Sequence, residues 1–169
     1  MNHDRYSDDY IRGILAGVKS MAMVGLSANV ARPSYFALGY LLKKGYRIYG
    51  VNPALAGKSV LGAPCYATLK DLPETPDMID VFRGADAVPG ILEEALALLP
   101  KPKVFWMQLG VRHDEAAANA EAAGMQVVMN RCPKIEIGRL TGEIGWLGIN
   151  AGVMSSKPLR PVAPRKTAL

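Results

Sequence analysis

Two cysteines, Cys65 and Cys132, and two histidines, His3 and His113, are all that 169 residues offer to a disulfide or a soft metal. Their spacing matches no zinc or redox motif, and two cysteines build no disulfide framework, so a stapled secreted domain is excluded and a reducing cytoplasm fits best. Long apolar runs are missing too. None approaches the roughly 18 residues of a membrane span, and the first nine residues are polar and acidic, which argues against secretion and a membrane location. Aromatic residues are only 7% of the chain and are not interleaved with basic ones, so nucleic acid is not an expected partner. Acid is absent from Ala151 onward, where Lys157, Arg160, Arg165 and Lys166 lie; without those four the net charge of +5 falls to about +1. The basic balance therefore belongs to a Pro-containing tail, expected to be flexible over 151–169, and not to a binding face. Catalytic apparatus is equally scarce. No Ser–His–Asp set, paired carboxylates or metal cluster can be picked out, so neither catalytic nor metal-binding residues are expected.

What remains is an alternation of short apolar runs and helical patterns over 1–150, sized for a single domain. A helix is expected near Asp8 to Val18, then a strand at 21–25. The next helix covers about 34–44, with Ser34 as its N-cap and Gly45 just beyond its end. A second strand, 46–51, is followed by a loop rich in Gly and Pro that crosses to Tyr66, and by a turn of helix around Leu69. Strand three is 77–82 and strand four 103–107; helices cover 88–99 and 113–123; strand five is 126–129, before a helix over 133–141. Continuous apolar strands separated by helices imply an α/β fold with a parallel sheet covered on both faces. Right-handed crossovers make it a five-stranded, doubly wound, Rossmann-like sheet of expected order 3-2-1-4-5.

The most informative stretch is Lys19 to Ser27, an apolar strand that breaks at Gly25 and passes through a small-residue turn into a helix. Such a turn makes an anion site, because free N–H groups and the helix dipole converge there. Nucleotide redox folds also carry Asp or Glu about 20 residues later for the ribose hydroxyls. Here the second strand ends in Asn52-Pro53 instead. All five expected strands end in glycine-containing or polar tripeptides, namely 25–27, 51–53, 82–84, 108–110 and 131–133, which would lie along one rim.

The rim resembles the CoA-binding domain family, the Rossmann-like module also found at the start of the succinyl-CoA synthetase alpha chain. The similarity spans about Val18 to Leu140 and rests on V-G-L-S at 24–27, R-P-S-Y at 32–35, G-Y-R-I-Y-G-V-N-P at 45–53, D-V-F-R at 80–83, W-M-Q-L-G at 106–110 and R-C-P-K-I-E at 131–136. The resemblance implies that Gly25 and Ser27 hold the pyrophosphate of coenzyme A and that Asn52 and Pro53 lie against its adenosine. It offers Lys58 and Arg32 for the phosphates. Phe82, Arg83, Met107, Gln108 and Gly110 would border the adenine or pantetheine path, with Cys132 near the end of the pantetheine arm. The synthetase's phosphohistidine domain is absent, so its ligase chemistry is not implied. Taken from the residues alone, Phe82, Trp106 and Met107 are equally core residues, Asn52 and Gln108 equally turn formers, and Arg83 equally a partner for Asp80 or Asp86. Arg131 and the helix that follows are expected to lower the pKa of Cys132.

Two function classes follow. One is a non-catalytic module that binds CoA or an acyl-CoA, with a protein partner left open. The other is an enzyme, either a nucleotide-dependent oxidoreductase or a thiol-dependent acyl or CoA transferase.

Overall fold

The computed structural model describes residues 1–143; residues 144–169, which include the expected tail, lie outside the described residues. Helix α1 (Asp8–Gly17) starts where the Ser7 side chain accepts the Tyr10 N–H, and its Ile11, Ile14 and Leu15 recur at the spacing of one helical face. Then follow β1 (Ser20–Val24), α2 (Pro33–Lys43) and β2 (Arg47–Val51). The loop expected after β2 contains a hairpin, β3 (Ser59–Val60) and β4 (Ala63–Tyr66). The rest is β5 (Met78–Val81), α3 (Val88–Leu96), β6 (Val104–Met107), α4 (Asp114–Ala122), β7 (Gln126–Val128) and α5 (Pro133–Leu140).

Among the described residues the sheet has seven strands, not five, in the order β3-β4-β2-β1-β5-β6-β7. The expected order 3-2-1-4-5 needs correcting in its members. The place beside β2 is taken by β4, which pairs with it in parallel, and the segment at 77–82 lies on the far side of β1. β4 escaped notice because Pro64 interrupts its apolar run, and in a sheet proline sits at an edge or a bulge. The β3–β4 turn carries Leu61 and Gly62, both at positive φ (50° and 85°), the backbone that a two-residue hairpin demands.

Side chains alternate between two cores. Met21, Met23, Met78, Val104 and Trp106 face α1, α2 and α5, while Ala22, Val24, Ile79, Phe105 and Met107 face α3 and α4. Each large apolar side chain fully buried in these layers contributes roughly 1.5–3 kcal/mol. At the start of the sheet, the Asp77 carboxylate accepts the Lys19 and Ser20 N–H groups and the Lys103 ammonium. Burial pushes its pKa up, but Lys103 and the two amides outweigh that and hold it below the usual range. At the outer edge, Tyr10 donates its hydroxyl to the Val127 carbonyl at 3.2 Å, and Tyr6 Oη accepts the Met129 N–H at 2.8 Å. None of the helices among the described residues is long and apolar enough to cross a membrane.

Candidate functional site

The chain leaves β1 for β2 on one side and returns to pair β5, in parallel, on the other, so the strand order reverses between β1 and β5. Loops diverge above such a point and leave a crevice. Here it is a cavity of about 880 Å³. Gly25 and Ser27 after β1, Phe82 to Gly84 after β5, Gln108 to Val111 after β6, and the first turns of α2 and α5 line it.

Gly25 holds φ +92°, and its N–H donates to the Val51 carbonyl at 2.8 Å. Ser34 is not the N-cap of α2. Pro33 occupies the first turn and Arg32 the cap position, leaving no side-chain cap, while Ser34 Oγ accepts the Ser27 N–H at 3.1 Å. A proline at the first helical position lacks an N–H that would have been an orphan anyway, which lets the helix start one residue earlier. Helix α5 likewise begins at Cys132 without a side-chain cap. Two helix N-termini without side-chain caps therefore border one cavity, where their partial positive charge favours an anion.

The charged side chains on the lining are Arg32, Arg83 and Lys134; it contains no acidic residue. None of the three has an ion-pair partner among the described residues, so Arg83 is paired neither with Asp80 nor with Asp86. Phe36, Leu109 and Ile135 add an exposed apolar rim. The loops after β6 and β7 are tied together, since Asn130 Oδ1 accepts the Gly110 N–H at 2.8 Å and Trp106 Nε1 donates to the Arg131 carbonyl at 2.7 Å.

Gly25, Ser27, Arg32, Phe82, Arg83, Gln108, Gly110 and Cys132 thus share the cavity. The other four sequence candidates do not line it. Met107 is fully buried and faces α3 and α4, because it is the last residue of β6 and points to the opposite side of the sheet from Trp106. Asn52 uses both ends of its amide internally, donating to the Leu26 carbonyl (2.8 Å) and accepting the Ala54 N–H (3.0 Å). Pro53 opens a single 3-10 turn, and Lys58 is exposed beyond it, next to β3.

Sequence reasoning missed Lys134, although it stands inside the quoted 131–136 motif, and it missed Phe36 and Ile135. It also passed over Asp80. This acid lies fully buried in the middle of the sheet, opposite Met23 and Trp106. Gln108 Nε2 donates to its Oδ1 at 2.8 Å, and Oδ2 has no partner among the described residues. Burial pushes its pKa up to about 7, against the opposing pull of the Gln108 hydrogen bond. The expectation for Cys132 is overturned. Burial raises the pKa of its thiol; the Ile135 and Lys134 amides and the Lys134 charge oppose this, but the Asp80 charge adds to it. His113 caps α4, its Nδ1 accepting the Ala116 N–H at 3.1 Å. Among the described residues, no group of three metal-ligating side chains comes together.

Comparisons with known proteins agree with this architecture. The protein YneT of Bacillus subtilis is 34% identical over 125 residues, covering 74% of this chain and 90% of its own. A solved structure from Thermus thermophilus is 37% identical and superposes with a TM-score of 0.75, covering 80% of this chain and 99% of that one. The ADP-forming acetate–CoA ligase II of Archaeoglobus fulgidus is 32% identical over 78 residues, which are 45% of this chain and 11% of the ligase. The model of the CoA-binding domain matches residues 19–138, and the chain belongs to that family.

Proposed function

We propose that this chain binds coenzyme A or an acyl-CoA in the crevice between β1 and β5 and holds it without transforming it. The observation that carries the reading is the charge of the cavity: among the described residues it has three cations without ion-pair partners, two helix N-termini without side-chain caps and no acid on the lining. Such a site matches a ligand with several phosphates, since charge-assisted hydrogen bonds to phosphate are among the stronger polar contacts. The apolar rim of Phe36, Leu109 and Ile135 suits a pantetheine arm or a short acyl group.

A dinucleotide oxidoreductase is the weaker alternative. It needs an acidic partner for the ribose hydroxyls, and the corresponding residue, Asn52, spends its side chain on the Leu26 carbonyl and the Ala54 amide. Calorimetric titration of the purified chain with CoA, acetyl-CoA, NAD and ADP tests the proposal. CoA or acetyl-CoA should bind most tightly, and replacing Ser27 with Leu should abolish that binding without unfolding the protein. Tighter binding of NAD, or full CoA affinity in the Ser27→Leu variant, would overturn it.

A further inference from the structure

We propose that Cys132 is a thiol–disulfide exchange site for the disulfide form of the ligand held in this cavity, restrained by the buried carboxylate of Asp80. The inference takes its ligand from the preceding proposal, but its geometry stands on the protein alone. Cys132 lines the cavity and occupies the N-cap position of α5 without a side-chain cap hydrogen bond, and the Ile135 and Lys134 amides and the Lys134 charge work to lower its pKa. Amides at a helix start and a neighbouring lysine are what stabilise a thiolate. The second observation is the wholly buried Asp80, which stands opposite Trp106, whose indole donates to the carbonyl of Arg131, the residue before Cys132. Asp80 Oδ1 is held by Gln108, itself a lining residue, and its Oδ2 has no partner among the described residues.

A buried unpaired carboxylate beside a thiol opposes a second negative charge, and the Asp80 charge does act on the Cys132 sulfur in that sense. Other charges near the pair leave this balance in place. On α5, Lys134 favours the thiolate, and Glu136 is engaged by Arg139 and Arg131. Arg32 and Arg83 stand at the cavity wall. Burial is the main restraint on the thiol and the Asp80 charge adds to it, against the activating helix start, so Asp80 is a positioning residue that acts through Cys132.

The reaction balances. The Cys132 thiol loses its proton to water, and the thiolate attacks one sulfur of oxidised CoA. A sulfur–sulfur bond forms to Cys132 as the original one breaks, and the departing CoA thiolate takes up a proton. Cys132 is oxidised and the released CoA is reduced.

Intact-mass measurement after incubation with oxidised CoA should show one added CoA, removed by reductant and absent from the Cys132→Ser variant. No adduct in the wild type, or an adduct that survives in that variant, overturns the exchange site. Calorimetry of the wild type with reduced CoA separates the two proposals: binding of reduced CoA with no adduct from oxidised CoA sinks only this one. The restraint is tested without any ligand by following iodoacetamide alkylation against pH. In Asp80→Asn, a fall of one unit in the thiol pKa gives about tenfold more thiolate, tempered to roughly threefold in rate by lower nucleophilicity. An unchanged or slower rate overturns the role of Asp80. Should that variant not fold, the wild-type profile decides: its rise should flatten near pH 7 as Asp80 ionises, and a single smooth titration counts against the restraint.

Discussion

Gly25 and Arg83 meet so closely across the β1–β5 crevice that a Cβ on residue 25 would stand 2.8 Å from Arg83 Cδ and 2.9 Å from the Phe82 carbonyl oxygen. The φ of +92° adds strain for any L side chain. Left-handed backbone alone costs roughly 1–2 kcal/mol. Gly25→Ala should therefore lose at least ~2 kcal/mol in urea denaturation and bind CoA more weakly, because Arg83 must move. A loss below ~0.5 kcal/mol would mean that the two loops separate freely, and that their closeness does not shape the cavity.

Asn52 is predicted to act on the ligand only through the backbone. Its amide clamps the loop after β1 at the Leu26 carbonyl and caps the 3-10 turn at Ala54. Asn52→Asp keeps the acceptor for Ala54 but sets a carboxylate against a carbonyl, so it should cost more than Asn52→Ala, which should lose about 1–2 kcal/mol. Thermal melting of the pair checks the ordering. A smaller loss in Asn52→Asp than in Asn52→Ala would show that the clamp to Leu26 contributes nothing.

Stability should depend on pH through Asp80. Its folded pKa of about 7 lies above the unfolded value, so the native state binds the proton more tightly. The stabilisation from the neutral acid is complete below about pH 4 and is lost as pH rises to about 7. On this account the loss is on the order of 4 kcal/mol. Asp77, held below its usual range, works in the opposite sense at lower pH: its contribution disappears as the carboxylate is protonated. Urea midpoints of wild type and Asp80→Asn at pH 5 and pH 8 isolate the buried acid. The wild type should be the more weakened of the two at pH 8, and parallel curves would show that Asp80 is already ionised at pH 5.

If CoA occupies the cavity as proposed, Arg83 and Lys134, which line it, meet the phosphate charges, and Lys58, which does not line it, stays outside them. Arg83→Gln and Lys134→Gln should each weaken CoA binding by roughly 10-fold or more and flatten its salt dependence. Lys58→Gln should leave both unchanged. A weakened Lys58→Gln would extend the ligand over the exposed turn after Pro53.

The fold was legible where sequence signals were local. Apolar runs at 21–24, 78–81 and 104–107 carry their own strand pattern, and glycines mark the turns that follow. β4 was not legible, since Ala63-Pro-Cys-Tyr66 becomes a strand only by pairing with Gly50 and Val51, a partnership that no local window contains. The cavity was found largely through strand ends, which tell where a side chain starts but not which way it points. That is why Gln108 lines the cavity while Met107, one residue earlier, does not. Asn52 illustrates the same limit differently: its position at the rim is right, yet its amide is committed to the backbone. Asp80 was legible only as a surface partner for Arg83, because an acid inside an apolar run carries no local sign of burial, and only the packing of β1 and β6 on either side shows it buried.

β7 forms one outer border of the sheet, and an open border invites strand addition by a second chain. Here the protein occupies that border itself. The hydroxyls of Tyr6 and Tyr10 take the places a neighbouring strand's carbonyl and amide would fill, accepting the Met129 N–H and donating to the Val127 carbonyl. The amino-terminal segment thereby serves as a removable guard. Chains that lose it would keep every residue of the cavity and expose a ready template for self-association, so any solubility defect in such truncations would originate at the sheet border, on the far side of β6 from the β1–β5 crevice.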